Sequence, residues 1–334
     1  MTDNYDYEKY YLFVKEQEEY NKKSKYYIKI LEDEKHDRYE VFYVNKNIPI
    51  NKKMGKIMKN YKFLEFIDKF NKPLDNLPDN IENIKFGEKF NQPVDNLPSE
   101  LKYLKFGREF NQPVDNLPSK LLHLIFGRFF NQTVDKLPAG LEKLELEFEF
   151  GNPIDNLPSN LQYLKIDHNF NNSLDNLPSS LKELQLHIDD RFRGKINKLP
   201  SGLQILVFGN RFNQVVNNLP RGLQKLKFGR EFNQSVDKLP TELKKLSFGY
   251  YFNQPIDKLP PKLLYLKFGN NFNQPIDKLP PKLLYLKFGN RFDQPVDKLP
   301  PELQEITFTT EYKQPRNNIP SRIKINEEYI MALF

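Results

Sequence analysis

Apolar residues return along most of this chain at a fixed interval. Phe70, Phe90, Phe110, Phe130, Phe150 and Phe170 are followed by Phe192, Phe212, Phe232, Phe252, Phe272, Phe292 and Tyr312. Every interval is 20 residues, except that two extra residues stand between Phe170 and Phe192. Within a unit the pattern is finer. In FNQPVDNLPSELKYLKFGRE (90–109) the apolar positions are Phe90, Val94, Leu97, Leu101, Leu104 and Phe106. Leu104 and Phe106 alternate with Tyr103 and Lys105, the two-residue period of a short β-strand with opposite sides in different surroundings. Gly107 ends that strand. Pro93 and Pro98 keep the remainder irregular, because proline fixes φ and donates no backbone hydrogen bond. Asp95 and Asn96 are turn formers.

One strand and one irregular arc make a coil that cannot cover its own leucines and phenylalanines. The next coil must cover them, so the units stack. The pattern therefore predicts a mainly β solenoid of about 13 coils, with one short parallel strand per coil, over residues 61–323. Residues 1–60 lack the repeat. There YEKYYLFVKEQEEYNKK (7–23) reads as a helix, and YYIKIL (26–31) with YEVFYV (39–44) as a hairpin, together a small α+β cap or a separate module. Residues 324–334 read as a C-terminal cap over the last apolar edge.

Stacking turns each repeat position into a column. Two columns point outward from the strands, and they are rich in Tyr and Lys. Tyr103, Lys105, Tyr163, Lys165, Lys225, Lys227, Tyr265, Lys267, Tyr285 and Lys287 are the candidate partner-binding residues, since Tyr offers a large rigid surface with a polar tip. An Asp column, from Asp75 to Asp297, reads as a set of carboxylates each capping its own turn. An Asn column (Asn91, Asn111, Asn131, Asn213, Asn233, Asn253 and Asn273) reads as a buried ladder bonded to backbone. Units 141–195 deviate most, and Glu145, Glu147, Glu149, Asp167, Asp189 and Asp190 are an alternative, acidic binding spot.

The repeated FNQPVDNLP and FNQPIDKLP segments resemble FNIP repeats, which occur in slime moulds and giant amoebal viruses and are related to leucine-rich repeats. LPSELKYLKF (97–106) looks like the core of the shortest leucine-rich repeats. The resemblance implies a leucine-rich-repeat-like solenoid whose strand sheet lines the concave face. It departs from leucine-rich repeats in one respect. Their Asn stands three residues after the last apolar strand position, here Glu109, whereas this chain has Asn111 two residues later. Some viral relatives carry an F-box before the repeats, which would make the protein a ubiquitin-ligase substrate adaptor. Residues 1–60 show no Leu-Pro-rich helical pattern of that kind.

Composition narrows the function classes. The chain has 334 residues and no Cys, which removes disulfides, thiolate metal sites and thiol nucleophiles. Its formal net charge of +7 comes from 51 Lys+Arg against 44 Asp+Glu. That balance permits contact with an acidic protein, nucleic acid or an anionic surface. No apolar run approaches the roughly 20 residues that span a bilayer, and no signal-peptide core stands at the N-terminus. The expectation is an intracellular protein, in the (host) cytoplasm if it is like its viral relatives, neither secreted nor transmembrane. The four histidines, His36, His123, His168 and His187, show no ligand spacing, and no phosphate loop or nucleophile motif occurs. Neither metal nor cofactor is expected. Units 251–270 and 271–290 differ at a single residue, Tyr251 against Asn271. Duplication of that kind extends a surface rather than building a unique catalytic centre. A protein-binding scaffold is the expectation, with nucleic-acid or anionic-surface binding through the Lys/Tyr columns as the alternative.

Overall fold

The computed structural model describes residues 26–32, 38–167, 170–187, 192 and 194–329. The chain divides into two compact units, Met1–Asn152 and Pro153–Phe334. The first begins with an antiparallel pair, β1 (Tyr26–Glu32) and β2 (Arg38–Val44). After helix α1 (Lys52–Met58) come β3 (Phe63–Phe66), β4 (Asn83–Lys85), β5 (Tyr103–Lys105), β6 (His123–Ile125) and β7 (Lys143–Leu146). From β2 onward each strand pairs in parallel with the next. The second unit runs β8 (Tyr163–Asp167), β9 (Glu183–His187), β10 (Ile205–Phe208), β11 (Lys225–Lys227), β12 (Lys245–Ser247), β13 (Tyr265–Lys267), β14 (Tyr285–Lys287), β15 (Glu305–Thr309) and β16 (Lys324–Glu328). All its neighbours are parallel and in sequence order. Register sets each repeat position opposite its counterpart, as in Leu104↔Leu124 and Leu226↔Leu246.

The predicted apolar column is the core. Leu101, Leu104, Leu226 and Leu246 are completely buried, and so are Phe90, Phe110, Phe232 and Phe252. Most coils pair two rings. Phe106 and Phe110 stack with centroids 3.6 Å apart, and Phe110 faces Phe130 of the next coil at 6.1 Å. In the second unit Phe248 and Phe252 repeat this at 3.7 Å. Offset stacking of this kind adds about 0.5–1.5 kcal/mol per pair beyond area burial.

Three ladders tie coil to coil. At the strand, the Tyr103 N–H donates to the Glu82 carbonyl at 3.1 Å and the Phe106 N–H to the Ile125 carbonyl at 2.9 Å. After the glycine, the Glu109 N–H donates to the Glu88 carbonyl at 2.9 Å, and the Tyr251 N–H to that of Arg230 at 2.9 Å. The third ladder uses the Asn column. Asn91 Oδ1 accepts from the Asn111 N–H at 2.9 Å and from Gln112 Nε2 at 3.1 Å. Asn233 Oδ1 does the same for the Asn253 N–H and for Gln254 Nε2. The displaced Asn register thus still joins consecutive coils. It is not buried as expected: the column sits at the rim, half-buried to exposed. Gln112 and Gln254, beside the donor Asn of the following coil, share that oxygen.

Aspartate behaves differently from the sequence expectation. The carboxylates of Asp95, Asp115, Asp237 and Asp297 do not cap their own turns. They reach the following coil. Asp95 Oδ1 accepts from Asn116 Nδ2 at 2.9 Å, Asp115 Oδ2 from Lys136 Nζ at 3.0 Å, and Asp297 Oδ1 from Asn318 Nδ2 at 2.7 Å. The Asn/Lys that follows each Asp in sequence is the cause, since stacking brings it one coil on.

Glycine governs how close the coils come. A Cβ on Gly107 would lie 2.3 Å from the Gly87 carbonyl oxygen, and one on Gly249 would lie 1.9 Å from that of Gly229. Where the sequence loses this glycine at Asp167, His187 and Thr309, the strand lengthens to five residues, while at Glu147 strand β7 has four. The irregularity of units 141–195 thus includes a strand extension in β8 and β9. Ile166 and Leu186 take the place of the inner Phe there, so the double ring stack is interrupted.

The helix expected at 7–23 lies outside the described residues. Helix α1 stands instead at a place the sequence reading left blank. Asn51 caps it, accepting from the Met54 N–H at 2.9 Å, and Met54 and Met58, one turn apart, face the core. The hairpin forms where expected and feeds directly into the parallel sheet through β2 and β3. At the other end, residues 324–328 add a further parallel strand beyond β15, and 330–334 lie outside the described residues.

Gly249→Ala should therefore cost about 1–3 kcal/mol of stability, the usual cost of overpacking. Gly151, whose Cβ would meet nothing within 4 Å, should be neutral or slightly stabilised by the same change. Urea unfolding of the two variants checks the contrast.

Candidate interaction surface

The outward columns lie on the strands because alternate residues of a strand point to opposite sides. The ten predicted residues divide between the two units. Tyr103 and Lys105 stand on β5 of the first unit, Tyr163 and Lys165 on β8 at the start of the second. Tyr103 is 7% exposed and packs edge-on against His123, with centroids 5.1 Å apart. It is therefore not an accessible platform. On the same face His123 and Glu145 are 4% exposed, with His123 Nε2 at 3.8 Å from Glu145 Oε1.

The remaining six meet on four consecutive strands. Lys225 and Lys227 flank β11, Tyr265 and Lys267 flank β13, and Tyr285 and Lys287 flank β14. Between them β12 contributes Lys245 and Ser247. Register makes two rows, Lys225–Lys245–Tyr265–Tyr285 and Lys227–Ser247–Lys267–Lys287. Lys225, Lys227 and Lys245 are exposed or half-exposed, and Tyr285 is 41% exposed. Lys287 pairs with Glu328. Among the described residues, no carboxylate lies within ion-pairing distance of Lys225, Lys227, Lys245 or Lys267. Burial, and next the charges of Lys287 and Lys227, hold the Lys267 ammonium below the usual lysine pKa, with Glu328 opposing. Lys245 was the member of this group that the sequence reading passed over, although its column position was legible.

The acidic alternative divides between the units. Glu145 is buried, Asp167 is engaged with His187 at 3.2 Å, and Asp189 and Asp190 lie outside the described residues. No group of three or more metal-ligating side chains occurs among the described residues. No helix among them is long and apolar enough to cross a membrane. Past the glycine turn lies a feature that sequence reasoning missed. Arg128 sits over the Phe148 ring at 4.2 Å, Arg108 over Phe129 at 4.9 Å, and Arg230 over Tyr250 at 5.2 Å. Its signal was available, because an Arg after the glycine stands one coil before an aromatic at the same repeat position, as for Phe148 and Tyr250, or at the next one, as for Phe129.

Comparison with known proteins gives the same architecture. The FNIP Repeat family model matches residues 70–108, 90–129, 150–189, 194–230, 215–251, 232–271, 252–291 and 272–310. Among solved structures, CroV588, described as a novel circular LRR protein, is 34% identical with a TM-score of 0.71. The match covers 91% of this chain and 54% of that one, so the chain spans about half the length of this relative. The functional domain of InlJ from Listeria monocytogenes, which includes a cysteine ladder, matches with a TM-score of 0.51 and 15% identity. That match covers 79% of this chain and 62% of that one, and shows a shared fold. No curated protein matches.

The strain on Lys267 predicts a measurable trade. Lys267→Gln removes a half-buried like charge and should raise the thermal unfolding midpoint at low salt. Added salt should shrink the difference by screening the neighbouring lysines.

Proposed function

We propose that this chain, a member of the FNIP repeat family, is a scaffold that binds a protein partner on the strand face of its second unit. The observation that carries the reading is the in-register patch on β11–β14, where Lys225, Lys227, Tyr265, Lys267, Tyr285 and Lys287 stand side by side. A solenoid spends its repeated positions on a continuous outer surface, and repeat solenoids generally use such surfaces to bind. The interior of each coil is filled by Leu and Phe, which leaves the outward columns as the part of the repeat free to vary. Tyr supplies contact area at low entropic cost, and Lys supplies charge for orientation. Near-identity of units 251–270 and 271–290 sets two Tyr-Lys pairs next to each other. Duplication there enlarges one binding area.

The test is affinity purification with tagged wild-type chain and with Tyr265→Ala/Tyr285→Ala, followed by mass spectrometry. The double variant should keep its unfolding midpoint and lose the proteins that wild type retains. Recovery of the same proteins by both would place the partner elsewhere.

A further inference from the structure

Resting on that reading, we propose that the occupant of the patch is a short acidic stretch of extended polypeptide, crossing β11–β14 with its carboxylates toward Lys227, Lys267 and Lys245. Charge is the first argument. Many other lysines of the repeat meet a carboxylate of the neighbouring coil. Lys120 meets Glu100 at 2.6 Å, Lys262 meets Glu242 at 2.6 Å, and Lys102 meets Glu82 at 2.7 Å. Cross-coil pairing at a 20-residue spacing is thus the habit of this fold. The strand-face lysines of β11–β13 depart from it and face one another instead. Lys267 in particular is half-buried between like charges, a position that an incoming anion relieves.

Extent is the second argument. Ile205 on β10 ends the row at one side, with Glu183 on β9 beyond it, and Glu305 with Glu328 on β15 and β16 closes the other. Four strands at about 4.8 Å leave a cationic stretch of about 14 Å. An extended chain rising about 3.4 Å per residue crosses it with four or five residues, its alternate side chains about 7 Å apart. A continuous nucleic-acid strand following the same line would run its phosphates into the terminal glutamates. The third argument is composition. Tyr265 and Tyr285 offer hydroxyls to peptide carbonyls, and Ser247 leaves room between Lys227 and Lys267 for a side chain.

Fluorescence anisotropy of the full chain with a labelled peptide of alternating Glu and Ala, its Gln/Ala counterpart and oligothymidylate is the direct test. The Glu peptide should bind, the Gln peptide should not, and added salt should weaken binding. Lys227→Glu/Lys267→Glu should lose about tenfold or more in affinity. Lys258→Glu/Lys278→Glu makes the same change in net charge on the Asp–Lys ladder, and should stay within about twofold. Equal loss in both double variants, binding of the Gln peptide, or tighter binding of oligothymidylate overturns the proposal. If it is overturned while Tyr265→Ala/Tyr285→Ala still loses its captured proteins, the scaffold reading stands and the acidic chemistry of the partner falls.

Discussion

A single coil of this chain has more apolar surface than it can hide, and that shortfall organises everything else. Leu104 is fully buried by virtue of the coils on either side of it, as are Leu226 and Leu246 in the second unit. Burial of a leucine that truncation to alanine would expose as a cavity is worth about 2–5 kcal/mol. The repeat multiplies that contribution along the stack. Polar groups then fall where stacking puts them. Each residue meets its counterpart 20 places on, which is why Asn bonds the backbone N–H of the next Asn, and why Lys meets Glu across coils.

Close approach is what glycine contributes. With a Cβ, Gly249 would collide with the backbone of the preceding coil, so the strand-end glycine sets how tightly consecutive turns sit. Its loss at Asp167 and His187 is answered by two more paired residues in β8 and β9. The fold therefore tolerates an irregular unit by trading a tight turn for a longer strand. Ring stacking is given up in the same place, since Ile166 and Leu186 cannot stack as Phe does.

Much of this was legible beforehand because periodicity and burial are the same fact seen twice. Phe110 and Leu104 recur because each must be covered, and the strand between Tyr103 and Lys105 follows from alternation. Less legible was anything depending on which neighbour a polar side chain selects. In sequence Asp95 reads as a cap of its own turn, and only the geometry of stacking sets it against Asn116. Likewise Tyr103 and Tyr285 occupy one column and read alike in sequence, yet one is buried and the other exposed. Helix α1 was missed because seven residues carry too short a pattern, two methionines and an Asn cap, to stand out.

Backbone ladders join consecutive coils and hold the stack together. Native-state hydrogen exchange of the second unit reads them directly, at the N–H groups of Glu231, Tyr251, Asn271 and Arg291. These amides follow the glycine turn and would exchange freely if the arcs were unpaired loops. Stacked coils predict slowing at all four by about a hundredfold or more relative to unfolded chain, lost together on unfolding. Exchange at unprotected rates, with the strands alone protected, would contradict coil-to-coil stacking as the source of the fold.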